Sequence, residues 1–124
     1  MKTRLAACLF VVGVAARVSA QDLPALTAPV NDFAHVLSPA VSAELDRRIR
    51  ALQSQSGDVV VVATVATIAP FGSIEEYAVK LFEKAGIGKK NSDNGILILL
   101  AQSERRVRIE VGYGLEQFLS LIHI

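Results

Sequence analysis

The 124-residue chain has little sulfur or imidazole from which to build a chemical centre: one cysteine, Cys8, and two histidines, His35 and His123. A lone thiol forms no internal disulfide, and two such distant imidazoles assemble no His-based zinc cluster. His35, close to Asp32, reads as a turn or surface residue. Charge of one sign is lacking too. Lys and Arg number 13 against 12 Asp and Glu, a formal net charge of +1, so there is no basic footprint of the kind that binds nucleic acid, and no nucleic-acid partner is expected. The length leaves room for one small domain. What is present is apolar surface: 52% hydrophobic against 20% charged residues lies on the globular side of the disorder boundary.

The first 20 residues read as a secretory signal peptide. Lys2 and Arg4 form a basic start, Leu5 to Ala16 is an apolar run, and Val18-Ser19-Ala20 offers small residues for cleavage before Gln21. A bilayer-spanning helix needs about 20 apolar residues, and Arg17 interrupts this run too early. Leu5-Ala6-Ala7-Cys8 imitates a lipoprotein box, but the apolar run follows it instead of preceding it. The expectation is an exported domain, periplasmic, extracellular or membrane-associated, that loses its only cysteine with the signal.

Residues 21–29 hold Pro24 and Pro29 without periodicity and read as a linker, with folding starting near Val30. Ser38-Pro39 is a helix start, and Val41, Leu45, Ile49 and Leu52 make its apolar stripe as far as Gly57. Val59 to Val65 is a continuous β-branched run, expected to be a central strand buried on both faces. Ser73 and Glu76 form a capping box opening a second helix with the inner stripe Ile74, Tyr77, Ala78, Leu81 and Ala85. Ile96 to Ala101 again predicts a buried strand, whereas Val107, Ile109 and Val111 alternate with Arg106, Arg108 and Glu110. The short Gln102–Arg105 link allows only an antiparallel hairpin, and the intervening helix makes the two earlier strands parallel. The fold class is therefore α/β, a mixed sheet in the order β-α-β-α-β-β.

That topology sends Asp58, Asp93 and the Gly112-Tyr113-Gly114-Leu115-Glu116 stretch to one sheet edge, with Asn91, Asn94 and Tyr113 nearby. Such oxygen donors suit a hard cation such as calcium. The plainer reading is that Asp93-Asn94-Gly95 is an ordinary turn. The segment is not an EF-hand, because Lys90 and Ala101 occupy the first and twelfth loop positions. Neither Gly86-Ile87-Gly88 nor Gly112-Tyr113-Gly114 is a dinucleotide fingerprint, and Ser38 lies in no nucleophile elbow. A competing argument places ligands at the carboxyl ends of the strands, near Ala69 to Ser73, where a helix N-terminus holds an anion.

Three segments resemble a known family. Val30-Asn31-Asp32-Phe33-Ala34-His35-Val36-Leu37-Ser38, Asp93-Asn94-Gly95-Ile96-Leu97-Ile98-Leu99-Leu100 and Arg106-Val107-Arg108-Ile109-Glu110-Val111-Gly112-Tyr113-Gly114-Leu115-Glu116 are similar to the TPM domain of thylakoid-lumen and bacterial exported proteins. The resemblance runs from Val30 to Leu119. It implies a three-layer α/β fold, calcium bound at an acidic cluster, a weak acid phosphatase activity, and a role in the upkeep of membrane protein complexes. Carried over by residue, the metal positions fall on Asp32, Asp93 and Glu116. The chain departs from the pattern at His35, where relatives usually have glycine, and after Leu119, where a Thr-Asp pair and further helices normally follow. Residues 30–119 therefore read as an incomplete N-terminal fragment of the domain, with C-terminal helices and a downstream transmembrane helix outside the chain. Residues 120–124 form a tail of doubtful origin that resembles translated adapter sequence. The expected function is a divalent-cation-binding accessory or quality-control module near a membrane, the alternative a metal-assisted acid phosphatase of low activity in which the cation lowers the pKa of bound water.

Overall fold

The computed structural model describes residues 23–88 and 93–116. Its elements are β1 (Val30–Asp32), α1 (Pro39–Ser56), β2 (Val59–Val65), α2 (Ile74–Ala85), β3 (Gly95–Ala101) and β4 (Arg106–Val111). They form a four-stranded mixed sheet in the order β1-β2-β3-β4. β1 and β2 pair in parallel, as do β2 and β3, while β3 and β4 are antiparallel. The expected crossover and hairpin are both present. Helix α1 contacts β1 and β2, and α2 contacts β3 and β4.

Both helices start and stop where their local chemistry dictates. The Ser38 hydroxyl accepts from the Val41 amide at 3.2 Å, and Gly57 closes α1 in the left-handed conformation. Ser73 accepts from Glu76 N at 3.1 Å, and Gly86 closes α2 likewise. The Glu76 carboxylate does not complete the capping box; it pairs with Lys80 at 3.1 Å. On α1, Arg48 and Arg50 pair with Glu44 and Asp46, each at 2.8 Å, and Arg47 joins Glu44.

The core lies between α2 and one face of the sheet. Ala63 and Val65 of β2 and Leu97, Leu99 and Ala101 of β3 pack with Ile68, Ile74, Tyr77, Ala78 and Leu81. Phe71 meets Tyr77 edge-on at 5.1 Å, which seals one end of the cluster. The apolar stripe of α2 is thus the expected one, except that Ala85 is exposed and Phe82 packs in its place. Residues 23–29 are more than a linker, because Leu23 and Leu26 pack against this core. Asn31 holds the segment by accepting from the Thr27 and Ala28 amides and donating to the Ala28 carbonyl.

Two expectations about burial fail, one on the sheet and one on α1. The apolar side chains alternating with the core row (Val60, Val62, Ile96, Ile98, Leu100, Val111) are only half-buried, although Thr64 in that row is buried, so neither β2 nor β3 is covered along its whole length on both faces. On β4 the alternation is present, with Val107 and Ile109 59% and 53% exposed while Arg108 and Glu110 sit on the α2 side. Along α1 only Ile49 is buried, and Val41 and Leu52 remain exposed. Among the described residues the 33–37 loop reaches Thr64 of that row through the Ala34 amide, and the row's apolar members stay half-buried. Among the described residues the expected three-layer arrangement is thus not seen; what they form is one mixed sheet with two helices.

Candidate functional site

The two ends of the sheet hold different polar constellations. At the end where β2 and β3 begin, chain reversal brings the glycine-flanked tyrosine onto the Asp93 turn. Gly112 N donates to Gly95 O at 2.7 Å, and Gly114 N donates to Asp93 O at 3.1 Å. A Cβ on Gly112 would stand 2.2 Å from the Asp93 carbonyl oxygen, so only glycine permits this approach. Asp93 itself is left-handed at φ 46°. Asn94 Nδ2 donates to Gly57 O at 2.6 Å, and Val59 N donates to Asn94 O, tying the turn to the start of β2 beside Asp58. A helical turn at 113–116 carries Glu116 from the same end. Lys89, Lys90, Asn91 and Ser92 lie outside the described residues.

Asp32 is elsewhere. It pairs with Thr64, which pairs with Leu100 near the far end of β3, so Asp32 and Asp93 mark opposite ends of the parallel strands. Its carboxylate is already occupied: Oδ1 accepts from Thr64 Oγ1 at 2.6 Å and Val36 N at 3.1 Å, and Oδ2 accepts from Leu37 N at 3.0 Å. These donors, the Thr64 hydroxyl first, hold the carboxyl below the usual aspartate range. Asp32 is a turn-builder, fixing the 33–37 loop in which His35 takes a left-handed φ of 55°. The trio Asp32, Asp93 and Glu116 therefore does not gather around one ion. Among the described residues there is no group of three or more His, Cys, Asp or Glu placed to hold a metal.

The strand-carboxyl end holds a residue that sequence reasoning passed over. Glu104, in the β3–β4 hairpin, accepts through Oε1 from Thr67 Oγ1 at 2.6 Å and Ile68 N at 3.1 Å. Those bonds, led by the Thr67 hydroxyl, lower its pKa from the ordinary glutamate range. Its Oε2 atom is buried without a hydrogen-bond partner. Glu104 lines a hollow with Ser73 and Glu75 at the N-terminus of α2. Arg106 lines the same hollow, so an anion there would meet one guanidinium and two carboxylates at the helix end that the anion-site argument invokes. No spacing signal marked Glu104, because its partners lie 36 and 37 residues away.

Comparison with known proteins fits this architecture. The family model of the TPM domain matches residues 30–122. The chain belongs to the TPM domain family. Its fold is similar to the solution structure of the N-terminal domain of a P. gingivalis protein, with 34% identity and a TM-score of 0.66 over 79% of this chain and 66% of that one. A second likeness, of fold alone, is to the N-terminal domain of a Corynebacterium glutamicum protein, with 17% identity and a TM-score of 0.59 over 75% of this chain and 60% of that one. The TPM chain thus spans slightly less than two thirds of the length of these neighbours. No curated protein matches it.

Proposed function

We propose that this TPM domain is an exported, non-catalytic accessory module that binds a divalent cation and serves membrane protein complexes. The cation reading rests on one juxtaposition: the Gly112 and Gly114 amides clasp the Gly95 and Asp93 carbonyls, which seats Glu116 at the same end as Asp93 and Asp58. Hard oxygen donors of this type, eked out by carbonyls and waters, match calcium better than a transition metal. Asp32 is not a ligand in this reading, because its oxygens serve the 33–37 loop. The export reading is supported by the basic start, apolar run and small-residue site of the first 20 residues.

The test is a thermal melt of the chain with calcium titrated in, alongside a phosphate-ester hydrolysis assay. A ligand bound only by the native state raises apparent stability, so the wild type should melt higher with calcium, and Asp93→Asn should lose that shift. An unmoved melting temperature rejects the cation site. Calcium-dependent hydrolysis abolished by Asp93→Asn rejects the non-catalytic reading in favour of a metal-assisted phosphatase.

A further inference from the structure

The outer edge of the sheet carries an unusual pattern. β4 is a terminal strand, and among the described residues nothing pairs with its far side. Which residues face that side follows from the ladder. Val59 N donates to Asn94 O and Gln102 N donates to Val65 O, so the even-numbered residues of β3 turn their backbone groups toward β2. The odd-numbered ones turn toward β4, as the Gly112 N to Gly95 O bond shows. With Leu97 opposite Glu110 and Leu99 opposite Arg108, the backbone N–H and C=O of Val107, Ile109 and Val111 point outward. An edge of this kind is a template for another strand unless something blunts it. β4 contains no proline, and its outward residues are β-branched.

We infer that β4 pairs antiparallel with β4 of a second copy of this chain, about a twofold axis at Ile109, to make one continuous sheet across a homodimer. Charge, together with the end of β4 at Val111, selects this register, since an axis at Val111 would oppose Ile109 to Tyr113 in the helical turn past the strand. With Ile109 facing its own counterpart, Arg108 stands opposite Glu110 of the second copy, and Glu110 opposite Arg108. Val107 meets Val111 across the axis. An axis at Arg108 sets that arginine against itself, one at Glu110 sets two carboxylates together, and one at Val107 sets Arg106 against Arg108; each is a like-charge opposition. The Ile109 register also matches the outward backbone groups, so Val107, Ile109 and Val111 each exchange both bonds with the second copy. Within one chain Arg108 and Glu110 lie 3.4 Å apart on the same face, so each guanidinium in the dimer serves two carboxylates. The exposed side chains of Val107 and Ile109 are covered laterally by those across the axis.

Sedimentation of the 124-residue chain over a wide concentration range tests this, with circular dichroism to verify folding. The wild type should form a concentration-dependent dimer. Ile109→Pro should be monomeric yet folded, because the N–H it removes serves no intrachain bond. Arg108→Glu and Glu110→Arg should each weaken the dimer at least tenfold, while an equal mixture of the two should restore it, since the axis at Ile109 then matches every charge. If Ile109→Pro fails to fold, the mixture decides alone. A wild type monomeric at every concentration overturns the inference, whether hydrogen exchange then finds the Ile109 and Val111 amides protected by the chain's own residues or open to water. So does a dimer that survives Ile109→Pro, or a mixture no tighter than its parts.

Discussion

Strand β3 presents two rows of the same residue types to two different surroundings. Leu97 and Leu99 are 0% exposed beneath α2, whereas Ile96, Ile98 and Leu100, one step along the chain, are half-buried. The difference lies in what covers each row and not in the residues. Among the described residues stability is therefore concentrated on the α2 side, and the other face leaves its apolar side chains half-buried. The helices repeat the contrast: α2 buries Ile74, Tyr77, Ala78 and Leu81, while α1 buries Ile49 alone.

Truncations should expose this asymmetry most strongly. Leu99→Ala is expected to cost about 2–5 kcal/mol, the range for a core leucine, against about 1 kcal/mol for Leu100→Ala, because less apolar area leaves water at the second site. Chemical denaturation of both variants measures the gap, and equal losses would mean that both faces are packed. Gly112→Ala comes next. The added methyl has no room against the Asp93 carbonyl, and the strain should remove about 1–3 kcal/mol. It would also weaken calcium binding if the Asp93 turn holds the ion.

Smaller effects separate the polar ends. His35→Gly should gain about 0.5–1 kcal/mol in the same denaturation experiment, since His35 holds a left-handed conformation that glycine adopts freely. Asp32 gives a dependence on pH. Its folded pKa is depressed, so its stabilisation is complete above the ordinary carboxylate range and is lost as the pH falls through the folded value. Asp32→Asn should flatten the acid limb of a melting-temperature profile, leaving the slope that Glu44 and Glu104 supply in the same direction. Least of all, Arg50→Ala should shift stability by no more than about 0.5 kcal/mol, because its ion pair with Asp46 is solvent-exposed.

Much of this was legible in the sequence. The β-α-β-α-β-β order, the parallel crossover, the Gln102–Arg105 hairpin and the serine caps all follow from local chemistry and short connections, and the structure shows each of them. Burial was less legible, because a continuous apolar run such as Ile96 to Ala101 records hydrophobicity without recording whether a covering element is present. The alternation on β4 did not say which row faces the helix: its valines and isoleucine face the side away from α2, and its charges face α2. The meeting of Asp93 with the Gly112 turn was derivable from strand direction alone. The position of Asp32 was not, since it depends on β1 pairing with the far half of β2. Glu104 was invisible because its role comes entirely from distant partners.

The location of the cation is the point on which the functional account stands, and an amide-resolved NMR titration with calcium addresses it directly. The account predicts shifts concentrated at Asp93, Asn94 and Gly112 to Glu116, with the Phe33 to Leu37 amides around Asp32 unmoved. Largest shifts in that 33–37 loop, or none anywhere on the chain, would contradict it.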